Sequence, residues 1–240
     1  MSTQHNNRNS GAGAQWFFLG PNPLSSSSMA TNRNDPLYYI DLITFQVEDC
    51  LFRVPRSQFE KESEYFQELF TVPAPNNKPD GLSDEQPLVL KGVESDSFRQ
   101  LLRVLYPRDF KVKEILTVGQ WACVLALSDM YRFPRVRALA IQQLDKMIKK
   151  DPTRRLVLAR QFEIDPWVLP ALKSLVCREE SLTAEEGHRL GMDTVIKIAN
   201  FRERCYLSSD RYDYKWDLKK VRGEATLDLT EELSKEFGIA

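Results

Sequence analysis

The rhythm of hydrophobic and polar positions changes at residue 41. Ile43, Phe45 and Val47 alternate with Leu42, Thr44 and Gln46, the period-two pattern of a strand with one buried face. Glu48-Asp49 makes a polar corner and Cys50-Leu51-Phe52-Arg53-Val54 returns, which predicts a hairpin. Ser57 stands three residues before Glu60, the capping-box spacing at which each side chain satisfies the other residue's free backbone N–H. A helix is therefore predicted from Ser57, with Phe59, Phe66, Leu69 and Phe70 as its apolar face. Residues 71–86 are too rich in Pro, Asn and Gly for helix or central strand. Strand character resumes at Pro87-Leu88-Val89-Leu90.

From there the period becomes helical. Phe98, Leu101, Leu102 and Leu105 form a stripe over 94–106, and Pro107 halts it. Thr117 with Gln120 makes a second capping box, opening a helix with Trp121, Val124, Leu125 and Ser128 on one side and an end near Phe133-Pro134. The next helix, about 135–149, carries Val136, Leu139, Ala140, Leu144, Met147 and Ile148. Asp151-Pro152 and Asp165-Pro166 each place an acidic N-cap before a proline in the first turn. They predict two short helices, one bearing Leu156, Ala159 and Phe162, the other Trp167, Leu172, Leu175 and Val176. Thr183 with Glu186 caps another, and Val195, Ile196, Ala199 and Arg202 belong to a last amphipathic helix. Such stripes must pack on something, and the helices just before them are the expected surface.

The two ends read differently. Residues 1–35 are rich in Asn, Ser and Gly and are expected to be disordered. Within them Trp16-Phe17-Phe18-Leu19 reads either as a docking peptide or as a cluster resting on its own domain. Residues 208–240 form a polar tail, in which Tyr212, Tyr214 and Trp216 alternate as for an edge strand or a partner contact. Thr230 is expected to cap a short helix with Leu233 and Phe237, closed by Gly238. The domain plan is thus a tail over 1–35, a core domain over 36–149, a helical extension over 150–207 and a tail over 208–240.

The wording of the core segment resembles the BTB/POZ domain over roughly residues 38–148. The features that carry it are Asp41-Leu42 opening the first strand, the Arg56/Phe59 pair, and Tyr65-Phe66 with Leu69-Phe70. Phe98, Leu101, Leu102, Leu105 and Tyr106 follow the Phe-x-x-Leu-Leu-x-x-Leu-Tyr pattern. Pro55 departs from the pattern, since many members carry His there. Leu105-Tyr106-Pro107, Trp121 to Leu125 and Arg137 to Ile141 look like the fungal branch of the family. The resemblance implies an α+β fold: a three-stranded sheet flanked by helical hairpins, followed here by an all-helical extension.

What the resemblance implies for function is protein–protein contact. It suggests a homodimer through the first helix and hairpin, with Asp41, Arg56, Phe59, Tyr65 and Phe66 at the dimer surface. Asp41 and Arg56 read equally as part of a charged pocket beside that seam or as a local salt bridge or strand-end cap. Family members often recruit a cullin-type ubiquitin-ligase scaffold through a hydrophobic-x-Glu signature, for which Leu82, Asp84 and Glu85 are an imperfect match. The alternative role is the scaffold of a nuclear transcription-regulating complex, with import through the basic clusters Lys146, Lys149, Lys150, Arg154, Arg155 and Lys219, Lys220, Arg222.

Composition narrows this further. With 33 basic and 34 acidic residues and a formal net charge of -1, no bulk attraction to nucleic acid or anionic membrane is expected. No uncharged apolar run approaches the ~20 residues of a membrane span. Trp16 to Leu19 is too short for a signal core. Cys50, Cys123, Cys177 and Cys205 form no C-x-x-C pair and read as small packed hydrophobes in a reducing compartment. The protein is accordingly expected in cytoplasm or nucleus. His5 and His188 have no neighbouring nucleophile in sequence, the glycines assemble no phosphate loop, and Glu179-Glu180 and Glu185-Glu186 read as solvated helix ends. Neither catalysis, cofactor nor metal is expected, and no repeat array follows the core.

Overall fold

The computed structural model describes residues 33–36, 38–72, 80–107, 116–207 and 229–239, with the backbone alone at 205–207. The chain divides into two compact units, Met1–Tyr39 and Ile40–Ala240. In the first, the Asp35 carboxylate accepts from the Tyr38 N–H at 2.9 Å and the Asp35 carbonyl from the Tyr39 N–H at 3.1 Å, which makes a turn. The N-terminal aromatic cluster, and Tyr212, Tyr214 and Trp216, lie outside the described residues.

The second unit opens with the hairpin. Strand β1 (Leu42–Val47) pairs antiparallel with β2 (Cys50–Pro55), and Phe45 faces Phe52. The two-residue connection works because Glu48 adopts φ 54, the left-handed conformation that such tight turns require. Strand β3 is shorter than its apolar run, only Leu88–Val89. It lies parallel to β1 with Phe45 opposite Leu88, giving the order β2-β1-β3. A parallel neighbour needs a crossover, and the first helices provide it.

The predicted single helix after the hairpin is two: α1 (Arg56–Glu62) and α2 (Glu64–Thr71). Ser57 caps nothing. The helix has already begun at Arg56, whose guanidinium Nε holds the Glu60 carboxylate at 2.8 Å. The break falls at Ser63, in extended conformation at φ -125 and ψ 119. Its Oγ accepts from the Phe66 N–H at 3.1 Å and donates to the Tyr131 carbonyl. One buried hydroxyl therefore caps α2 and ties it to the far end of a later helix.

The remaining core helices are α3 (Ser95–Leu105), α4 (Val118–Met130) and α5 (Pro134–Ile148). The Thr117/Gln120 box is formed in both directions, at 2.8 and 3.3 Å. Helix α3 has no side-chain cap of its own. Instead the Glu48 carboxylate, reaching over from the hairpin turn, accepts from the Ser95 N–H at 2.9 Å. Phe45, Phe59, Phe66, Phe98 and Phe133 are fully buried at the centre, with the Phe45–Phe59 and Phe59–Phe66 ring centroids 4.7 and 5.0 Å apart. Each buried ring contributes roughly 1.5–3 kcal/mol from leaving water.

Helices α6 (Pro152–Gln161), α7 (Asp165–Cys177), α8 (Ala184–Leu190), α9 (Met192–Leu207) and α10 (Thr230–Phe237) follow. Leu158, Ala159, Phe162, Ile164 and Trp167 join the first core, so the extension packs on the helices before it. A second cluster contains Leu156, Leu172, Leu175, Val176, Leu190, Ile198, Phe201, Leu229 and Leu233, and Val168 packs against both. Two caps differ from expectation. Asp165 is already helical, with Ile164 at the cap position, because Pro166 fits equally as the second helical residue. Thr230 likewise starts inside α10 behind Leu229, while Gly238 closes it in the left-handed conformation at φ 65.

Glu186 is the main polar joint of the extension. Arg178 donates to both of its oxygens at 2.7 and 2.6 Å, Thr153 Oγ1 donates to Oε1 at 2.9 Å, and the Thr183 N–H donates to Oε2 at 2.9 Å. The Arg178 hydrogen bonds, more than any other influence, bring its pKa down to about 2. The carboxylate was legible as half of a capping box, but its clamp across α6, α7 and α8 was not.

Candidate protein–protein interface

The expected dimer surface divides when its residues are placed. Phe59 and Phe66 have no exposed surface at all. They belong to the aromatic core, and the expectation that they face a partner is wrong for a physical reason. Both sit on the side of α1 and α2 turned toward β1, where only burial is available. Tyr65, by contrast, is 36% exposed. Its ring lies 5.3 Å from that of Tyr131, whose burial pushes the phenol pKa up to about 12, so this phenol is neutral at physiological pH.

On the same side of α2, Leu69 is 37% exposed and Val72, at its C-cap, 68%. Tyr65, Leu69 and Val72 stand at i, i+4 and i+7, so they share one helix face. Glu68 and Arg132 flank this stripe as an ion pair, and the Arg132 hydrogen bond holds the Glu68 carboxyl below its usual range. Sequence reading placed Leu69 on the core face and passed over Val72. The clue was available in the seven-residue spacing from Tyr65, but two apolar faces on one short helix cannot be told apart by periodicity.

Asp41 and Arg56 are joined by backbone rather than by side chains. The Arg56 N–H donates to the Asp41 carbonyl at 2.9 Å, closing the hairpin's open end. The Arg56 guanidinium instead pairs with Glu60 and lies 4.3 Å from the centroid of the Phe70 ring. Arg56 is thus engaged within its own helix and with α2.

Leu82, Asp84 and Glu85 sit on a turn pinned across the outer face of the sheet. The Thr44 N–H donates to the Gly81 carbonyl at 2.8 Å and Thr44 Oγ1 to the Asp84 carboxylate at 3.2 Å, with Arg53 3.8 Å from that same carboxylate. Gly81 adopts φ 89, and an added Cβ would meet Ile43 Cγ1 at 2.7 Å, so only glycine fits. The turn therefore holds Leu82 outward, 57% exposed, with Glu85 also exposed. Asp84 is occupied in holding the turn.

Other sequence candidates are placed as follows. His188 is exposed on α8 with Nδ1 2.7 Å from the Ala184 carbonyl of its own helix. Cys50, Cys123 and Cys177 are half-buried. In the basic cluster, Arg154 is paired with Asp151 at 3.6 Å and Arg155 with Asp145 at 2.6 Å. Lys219, Lys220 and Arg222 lie outside the described residues. Among the described residues no His, Cys, Asp and Glu group has metal-binding geometry, and no helix is long and apolar enough to cross a membrane.

A small mixed sheet under helical hairpins, with an apolar helix face turned outward, defines a binding module. The family comparison agrees: residues 38–148 match the BTB/POZ domain, and the chain carries a BTB/POZ domain at these positions. The match is to the family as a whole and ends with α5, so α6 to α10 lie beyond it. No curated protein matches the chain. BTB/POZ domains are protein–protein interaction modules, and the chain carries one.

Proposed function

We propose that the chain is a BTB adaptor that self-associates through the outer face of α2. The observation that supports this is the stripe of Tyr65, Leu69 and Val72, left in water by a helix that buries Phe66 completely on its other side. A twofold pairing brings the same patch against itself, and three apolar anchors with an ion pair at the edge suit the centre and rim of such a contact. Leu69→Asp or Val72→Asp places a charge in that centre while touching no core ring. Gel filtration should show later elution for either variant at unchanged helical content. Unchanged elution from a dimeric starting protein would remove α2 from the interface.

The turn at Leu82 is the proposed cullin-recruiting element. Its support is that the apolar side chain and the Glu85 carboxylate are held outward together on a rigid turn. Calorimetry with a cullin N-terminal domain should give binding that Leu82→Asp abolishes. Absence of heat with the unmodified chain would leave an adaptor that works without this ligase.

A further inference from the structure

The second hydrophobic cluster is completed by a helix that arrives late. Between α9 and α10 lie residues 208–229, and α10 is then laid against α7 and α9. Eight residues are too few to hold a helix in water unaided, so the groove supplies its order. Leu229 and Leu233 are buried in the cluster, and Phe237 and Ile239 pack at its edge. Leu229, Leu233 and Phe237 are four residues apart, the anchor spacing of a helix seated in a groove.

Two cations of α9 are set against α10, in a lining that also carries Glu163, Asp165 and Glu203. Residues 229–239 carry Glu231, Glu232 and Glu236 against Lys235 alone. Facing them from α9, Arg204 pairs with Glu236 and Lys197 lies 5.7 Å from the Phe237 ring centroid. The fit is nevertheless incomplete. Glu232 Oε2 is shut away from water with no hydrogen-bond partner, at a cost that an alternative occupant need not bear. Cavities of about 180, 310 and 420 Å³ adjoin α10, the largest bounded by Arg160, Val168 and Phe237.

We propose that the groove between α7 and α9 is a docking site for an acidic amphipathic helix of a partner protein, with α10 as the resident competitor. The surface is separate from the outer face of α2 and from the Leu82 turn. It gives the adaptor a binding site on its helical extension that opens when α10 leaves.

The test uses the full chain carrying Leu229→Glu and Leu233→Glu, and a fluorescent peptide of residues 226–240 with the native sequence as the probe. The peptide should bind this variant about tenfold or more tighter than it binds the unmodified chain, whose groove is filled. Lys197→Glu with Arg204→Glu, added to the variant, should weaken that binding about tenfold. A folded variant that does not bind, or binding indifferent to those two charges, overturns the proposal. So does a dimer of the unmodified chain that dissociates on Leu233→Glu but survives Leu69→Asp, which would make a second copy the occupant. If the variant does not fold, hydrogen exchange on the unmodified chain decides. The amides of α10 should exchange about a hundredfold faster than those of α7, and equal protection of the two helices would refute a displaceable α10.

Discussion

Phe66→Ala tests which way α2 faces. The ring has no exposed surface. It lies 5.0 Å from Phe59, 5.2 Å from Tyr131, 5.6 Å from Phe45, 5.8 Å from Phe70 and 6.0 Å from Phe133, centroid to centroid. Those neighbours are fixed by β1, α1, the next turn of α2 and the ends of α4 and α5, so the hole left by truncation cannot close easily. The cost should fall in the range of about 3–5 kcal/mol found for buried aromatic truncations, a large share of a domain's stability. For a chain of this size that corresponds to a fall in Tm of roughly 6–20 °C, at about 2–4 °C per kcal/mol. Leu69→Ala, on the exposed flank of the helix, should cost about 0.5 kcal/mol or little more. Thermal melts of both variants followed by circular dichroism make the comparison. If Leu69→Ala lowers Tm more than Phe66→Ala does, α2 is rotated and the assignment of its two faces fails.

Ser63→Ala removes the α2 cap and leaves the Tyr131 carbonyl without its donor; a loss of about 1–3 kcal/mol in urea unfolding is expected. Gly81→Ala forces a side chain against Ile43 from a φ of 89. It should cost about 1–3 kcal/mol and, if the Leu82 turn is a docking element, weaken that contact as well. Glu186→Gln tests the joint in the extension. Because the folded-state pKa of Glu186 is depressed to about 2, the carboxylate's contribution is fully present above the ordinary glutamate value of about 4.3 and fades as pH falls toward 2. The stability gap between the unmodified chain and Glu186→Gln, measured by urea unfolding at several pH values, should therefore be widest above pH ~5 and shrink on acidification. A gap that grows on acidification would refute the ion-pair reading.

Much of the fold was legible because local rules and burial agreed. Ile43, Phe45 and Val47 alternate and are all buried. The Thr117/Gln120 and Thr183/Glu186 boxes form as their spacing predicts, and Asp151 caps its helix. Failures came where another partner, near or far in sequence, displaced the one that the spacing predicts. Ser57-x-x-Glu60 has capping-box spacing, yet Arg56 holds Glu60, and the serine that caps is Ser63, identified by the Tyr131 carbonyl 68 residues away. The Glu48 cap on α3 bridges 47 residues and has no local signature. The candidate interface was half legible for the same reason. Tyr65-Phe66 and Leu69-Phe70 each put adjacent apolar residues about 100° apart around a helix, and only the position of β1 decides which of each pair is core.

The most direct test of the self-associating adaptor is the mass of the full chain by light scattering across a concentration series. The account predicts a dimer that Leu69→Asp converts to monomer while the thermal melt stays within a few degrees of the unmodified protein. A mass of one chain at every concentration would contradict it, leaving the stripe of Tyr65, Leu69 and Val72 as the docking face for a different protein.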